Sequence, residues 1–503
     1  MARARLIVWD DDACWCVHKA TLDLLAETGV EVRHQPSLEL LRDAGARIEG
    51  TRARIPSDMI DNALNAAPRR FVVKARPGAA AAGKAANGHA GEGGAGAEPG
   101  AASAAADLEL VDGNSFFGTG SDCVYHCDPD SGERRQTRTA DIEGMAALGE
   151  KLANIDFVMS MGLPSDVPMA TGDLAQFAAM LAGTRKPLLT TAHDSAALAQ
   201  MRAMAELCGE AESFACYAMP NPPLMHSAEA LDKVIGCARM NIPLIYAPAP
   251  AMGTTAPASI AATVVVGNAE TLSGLVIHQL AQAGAPFVYG VGVGAFDMRT
   301  AVDVYAAPEH FLGNAAACDL ARFYGLPSFA YAAVADAKIF DEQWAAEAGI
   351  TAVLGALSRA TLLHDVGYLE SGMQSSCETI VLGNELVGYA RSLLREVGVD
   401  AEALALAEIT AVGPGGNHLN RPYTRTHHRE VWTPELFDRA VFDRWHAAGA
   451  TTLKERVQAR TAALRAEPCA FTLDPSVREQ LDAALATAGR GAVRRRATTR
   501  SAP

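Results

Sequence analysis

Charged side chains crowd the stretches where short apolar runs give way to polar turns. Asp336, Lys338, Asp341 and Glu342 follow the run 327–331, a density of charge that packing does not call for. Asp341 reads as the cap of the next helix. Asp336 and Lys338 are candidate catalytic residues, the alternative being a solvated loop pair. After the run 286–289, alternating glycines at 290, 292 and 294 lead to Asp297 and Arg299. No Gly-Lys-Ser/Thr ending follows, so the pattern is not a phosphate-binding loop. Arg299 offers a planar fork for a substrate carboxylate, unless it merely pairs with Asp297. The run 362–366 carries His364, and Glu370 lies in the loop beyond it. A histidine in an apolar run is either a hydrogen-bonded core residue or, at a strand end, a functional group.

These residues need a scaffold that brings separate loops together. Apolar runs recur at 155–159, 187–191, 214–219, 243–247, 286–289, 327–331, 362–366 and 409–412, each followed by a polar turn and then a helical stretch. Short buried strands separated by helices imply parallel crossovers. Eight of them predict an α/β fold, a (β/α)8 TIM barrel, with its chemistry on the loops after the strands. Residues 1–150 then form an N-terminal helical and small-strand extension, 151–445 the catalytic barrel, and 446–503 a C-terminal helical extension with a basic, disordered tail. Residues 78–106, rich in alanine and glycine, offer little to bury and read as a flexible insertion. The small, proline-rich loop 247–258 would wall the cavity. Gly413, Gly415 and Gly416, with Asn417 and His418, would let a large planar group approach the backbone after the eighth strand.

The chain has 503 residues, a net charge of −15, and 49% hydrophobic and 20% charged residues. This composition suits a soluble enzyme and argues against nucleic-acid binding, which needs a basic footprint. No stretch of about eighteen apolar residues predicts a membrane span. The opening runs straight into Asp10, Asp11 and Asp12, so a cytoplasmic protein without a leader is expected. Ten scattered cysteines fit reduced thiols. Cys123, His126 and Cys127 form the best metal-type cluster but lack a fourth nearby ligand, so no metal is expected.

Several passages are similar to the trimethylamine methyltransferase family. They are 246–271, closing on Gly267-Asn268-Ala269-Glu270-Thr271; 286–300, with Asp297-Met298-Arg299-Thr300; 336–343; Leu369-Glu370-Ser371-Gly372; and Gly413-Pro414-Gly415-Gly416 through Trp432-Thr433-Pro434-Glu435-Leu436. The resemblance covers most of 15–75 and 107–445. It implies a barrel enzyme that moves a methyl group from a methylated amine to the cobalt of a separate corrinoid protein. The expected partners are that protein and a small methylated amine; no cofactor is bound directly, and a homo-oligomer is expected. The chain has no pyrrolysine and in this looks like the quaternary-amine demethylases, of the glycine betaine type. A quaternary ammonium has no removable proton, so it needs orientation, exclusion of water and an aromatic cage. Tyr289, Phe296, Tyr331 and Tyr368 are the cage candidates. Asp336 or Glu370 would balance the charge, Arg299 with Lys338 or His364 would hold a carboxylate, and 413–418 would face the corrinoid. Two other readings remain: a Schiff-base lyase or aldolase using Lys338, and a barrel that binds without turnover.

Overall fold

Seven parallel strands form the central sheet of the computed structural model, which describes residues 4–77, 105–128, 131–469 and 471–499. They are β1 (Phe116–Thr119), β2 (Leu188–Thr190), β3 (Phe214–Ala218), β4 (Leu244–Tyr246), β5 (Phe287–Gly290), β6 (Ser328–Tyr331) and β7 (Leu362–Val366). The order across the sheet is β1-β7-β6-β5-β4-β3-β2. From β2 to β7 every strand residue is buried, as expected for a sheet covered on both faces. Single parallel bridges, Gly118 to Phe157 and Val158 to Leu188, link residues 157–158 to the two edge strands.

Short polar side chains start the crossover helices. Asp194, Ser227, Ser259, Asp341 and Ser376 each accept a backbone N–H from the first turn of the helix that follows. The chain therefore turns sharply at each strand's carboxyl end and returns along the sheet.

Alternation within the strands separates two apolar clusters. One face sends Phe157, Leu189, Ala215, Ile245, Val288, Phe329 and Leu362 into an inner cluster. Val73, Leu108 and Leu110, from the hairpin Phe71–Val73 with Leu108–Leu110, join it. This hairpin lies where the strands begin: Lys74 N donates to Glu212 O and Arg76 N to Arg185 O. The other face packs beneath the helices. The helix Ile260–Ala281 is apolar all round because it lies between the sheet and the N-terminal helices Asp11–Glu27 and Ser57–Ala66. It is the one helix among the described residues long and apolar enough to cross a membrane, and 72% of its apolar window is buried in the fold.

Three sequence expectations need correction. The run 409–412 is no strand but part of the exposed helix Leu406–Val412. Leu406, Ile409 and Val412 fall at helical spacing, and a short apolar run does not distinguish helix from strand. The sheet position next to β7 belongs instead to β1, drawn from the region read as an N-terminal extension. The run 155–159 contributes only bridge residues. Finally, the helix Pro475–Thr499, within the expected C-terminal helical extension, runs on into the basic tail expected to be disordered. Residues 78–104, most of the expected insertion, lie outside the described residues.

Candidate functional site

At the carboxyl ends of the strands, side chains from five segments meet. Tyr331 of β6 and His364 of β7 are register partners, with ring centroids 4.6 Å apart. His364 stacks on Phe329 at 3.9 Å and 8°. Tyr217 of β3 lies 5.2 Å from Phe329 and 6.2 Å from His364. Tyr305, from the hairpin after β5, stacks on His310 at 5.3 Å and meets Tyr331 edge-on at 5.8 Å. Tyr368 closes the group: its hydroxyl donates to Ser121 O at 2.5 Å and accepts from Ser121 N at 2.7 Å. A Cβ on Gly120 would collide with the Tyr368 ring, so this approach needs glycine.

The end of β7 is irregular where it carries its polar pair. Its register with β1 shifts between Leu363 and Val366, and Asp365 has φ +70°. A bulge and a non-glycine residue in the left-handed region re-aim side chains at a cost in strain. Here they turn His364 and Asp365 together, with Nδ1 donating to Asp365 Oδ1 at 2.5 Å. The bond orients the ring and leaves the buried Nε2 without a partner among the described residues. Both ring nitrogens of His310 and Oδ1 of Asp303 are likewise buried and unpartnered. The hydroxyls of Tyr217, Tyr305 and Tyr331 bond to no other described residue. Unmet polar groups are rare in a packed interior, and their convergence marks a binding region.

Electrostatics tie the group together. Burial, then Asp365, raises the phenol pKa of Tyr217, Tyr305 and Tyr368. Burial, then Tyr217, Tyr305 and Asp365, raises that of Tyr331. All four stay neutral at physiological pH. His310 is pushed down to about 4 by burial and stays uncharged. Asp122 is held above the usual carboxylate range by burial, although Gln176 Nε2 donates to its Oδ1 at 2.8 Å. Asp303 is raised by burial and by Asp336. The site thus combines aromatic faces, uncharged nitrogens and carboxylates in need of a countercharge.

A model of trimethylamine methyltransferase (MTTB) matches residues 2–81 and 98–491. The chain belongs to the trimethylamine methyltransferase (MTTB) family. The chain is 27% identical to the glycine betaine methyltransferase of Desulfitobacterium hafniense (strain Y51), covering 95% of this chain and 96% of that protein. It is 29% identical to the trimethylamine methyltransferase MttB of Methanosarcina barkeri, covering 90% of each. The crystal structure of the Methanosarcina barkeri monomethylamine methyltransferase (MtmB) superposes with a TM-score of 0.50 at 13% identity, covering 92% of this chain and 88% of that one. That likeness concerns the fold.

In this methyltransferase, the candidates His364, Tyr331 and Tyr368 lie together, and the other candidates lie elsewhere. Asp336 stands just behind, accepting from Tyr305 N at 2.7 Å, Ala306 N at 3.1 Å and Ser371 Oγ at 2.7 Å. It clamps the loop that presents Tyr305. Lys338 is exposed, with Nζ donating to Asp336 O at 2.7 Å, which withdraws the lysine a Schiff-base lyase would use. Glu370 is half-buried in an ion pair with Arg134, 2.5 Å away. The Arg299 side chain is 92% exposed and pairs with Asp297 at 3.3 Å. Phe296 lies on the hairpin strand Gly294–Asp297 and makes no aromatic contact among the described residues. Tyr289 faces the helices, donating to Asn268 Oδ1 at 2.9 Å, and is core. Gly413, Gly415, Gly416, Asn417 and His418 form an exposed turn after a helix, where His418 lies 3.8 Å from Glu408.

Tyr217, Tyr305, His310, Asp365, Asp122 and Asp303 escaped the sequence reading. One signal was present: His364-Asp365 puts two polar residues side by side in an apolar strand, which strict alternation cannot bury together.

Proposed function

We propose that this methyltransferase takes a methyl group from a methylated amine, a quaternary ammonium, and delivers it to the cobalt of a separate corrinoid protein. The observation that carries the reading is the ring of Tyr217, Tyr305, Tyr331 and Tyr368 around His364 and Asp365, at strand ends, in a chain of this family. Aromatic faces hold a methylated cation through cation–π attraction, and Asp365 balances its charge. The unpartnered His364 Nε2 presents a lone pair toward the cation's polarised methyl hydrogens. As the C–N bond breaks, its electron pair stays on nitrogen and the amine leaves neutral, so no proton need move. Burial of the ring excludes water from the methyl carbon and orients it. The corrinoid cobalt(I), on its carrier protein, supplies the accepting nucleophile. The donor set fits this division of labour, because nothing in the ring is asked to ligate a metal.

The scaffold we propose is a closed (β/α)8 barrel, with residues 157–158 as the stave between β1 and β2. Two parallel bridges and the inner apolar cluster support that closure. The barrel then runs from residue 116 to the helix Cys377–Leu393. We also propose self-association through residues 397–442, where short helices bury no side chain and leave Val399, Leu406, Leu419 and Phe442 exposed. Phe442→Lys with Leu406→Lys should then lower the mass measured by light scattering.

Turnover is tested with free cob(I)alamin and a panel of methylated amines. Loss of the Co(I) absorption should require both the chain and one of the amines. Amine binding without that loss would leave a binding protein without turnover.

A further inference from the structure

The charges at the strand ends all have one sign. Asp122 follows β1, Asp303 lies on the hairpin after β5, Asp336 follows β6 and Asp365 ends β7. Each lies close enough to act on the tyrosine ring or on another of the four. None forms an ion pair with lysine or arginine among the described residues; Asp365 pairs only with His364. The basic side chains of the surrounding loops are turned away or engaged. Arg299 lies in solvent against Asp297, and Lys338 is exposed over the Asp336 carbonyl. Arg134 pairs with Glu370 and lies over the Tyr125 ring at 3.7 Å. Arg135 is spent on Asp128 and Asp141. Lys233, on the helix Ala228–Met240, acts on the thiols of Cys216 and Cys237, and is the weakest of the influences on Asp122. Cys216 alternates with Tyr217 and so points away from the ring, which places Lys233 in the helix layer.

Building on the methyl-transfer reading, we infer that the substrate is a methylated monocation with no carboxylate on the carbon next to nitrogen, a choline- or tetramethylammonium-like quaternary ammonium rather than an α-betaine. In an α-betaine a single carbon separates the ammonium from the carboxylate. A ring that grips the ammonium then brings the carboxylate among four carboxylates, with no guanidinium or ammonium to receive it. Desolvating an anion without a partner is costly, and like charges add to that cost. A monocation meets the opposite situation: it relieves repulsion among carboxylates that burial already disfavours. The neutral nitrogens of His310 suit a hydroxyl on such a cation, donating to it or accepting from it.

Isothermal titration calorimetry on the full chain tests this with tetramethylammonium, choline, glycine betaine and 3,3-dimethylbutan-1-ol, the uncharged isostere of choline. Tetramethylammonium and choline should bind at least about tenfold more tightly than either of the others, and more weakly as salt rises. Glycine betaine binding as tightly as choline would overturn the inference and leave methyl transfer standing. The neutral isostere matching choline would overturn recognition by charge. No binding by any of the four to chain whose circular dichroism is native, with no loss of Co(I) absorption, would sink the methyl-transfer reading as well.

Discussion

The two ends of the parallel sheet are built from similar residue types and treat them in opposite ways. At the end where the strands begin, Lys186 is 2% exposed, and its Nζ donates to the carbonyls of Gly149, Leu152 and Ile155 at 2.5–2.8 Å. Glu150 beside it accepts from Thr184 Oγ1, Arg185 N and Arg185 Nε. The Lys186 donors are used up in ending the helix Thr139–Lys151, so a buried lysine pushed down to about 8 by desolvation is structural despite its lowered pKa. At the opposite end, His364 and His310 are as deeply placed and Asp303 is half-buried, yet all three keep unpartnered atoms. A perturbed pKa alone would have ranked the two ends together. What distinguishes Lys186 and Glu150 from His364 and His310 is that their side-chain bonds are made within the fold.

Substitutions at the floor, wall, mouth and rim sharpen this contrast. Lys186→Met should cost the most, about 5 kcal/mol, since three buried carbonyls lose their donor. Urea denaturation would measure it, and the folded fraction should keep its KM. If stability is unchanged, the floor is not held by this lysine.

In the wall, Glu270 is fully buried, with Oε1 accepting from Leu224 N at 2.6 Å, and burial raises it from 4.5 to about 8. The folded state then holds more protons than the unfolded chain between those values. This contribution is complete below about 4.5 and is lost as pH rises through about 8, by up to about 5 kcal/mol. Glu270→Gln should flatten the pH dependence of the urea midpoint across that window, and a parallel slope in both proteins would assign the effect elsewhere.

At the mouth, His364→Phe keeps the stack on Phe329 and deletes the unpartnered nitrogen. Methyl transfer should fall roughly 100-fold, about 2.7 kcal/mol, and stability should fall by about 2 kcal/mol because the buried Asp365 loses its paired nitrogen. Unchanged turnover would reduce the mouth to packing. At the rim, Arg299→Ala should move stability by less than about 0.5 kcal/mol and leave KM unaltered. A raised KM would restore Arg299 as a substrate anchor.

Much of the scaffold was legible in the chain. Six of the eight apolar runs contain sheet strands, and Asp341 caps its helix as its position suggested. The misreadings share a cause. Tyr217, Tyr246, Tyr289 and Tyr331 stand near strand ends in similar runs, but only strand pairing sets which face each takes. Tyr217 and Tyr331 turn to the inner face, while Tyr246 bonds His226 and Tyr289 bonds Asn268 among the helices. A shift of one residue exchanges the two sides.

Apolar period and capping residues determined that there would be buried parallel strands, and where most of them lie. Those are local properties, fixed by solvation and backbone hydrogen bonding within a few residues. Which tyrosines meet, which carboxylates share a space and which charged loop residues remain in solvent are decided by contacts between segments up to about 250 residues apart, such as Ser121 with Tyr368. No local preference encodes these, because each depends on register, on the bulge at His364–Asp365 and on which strand fills the place beside β7.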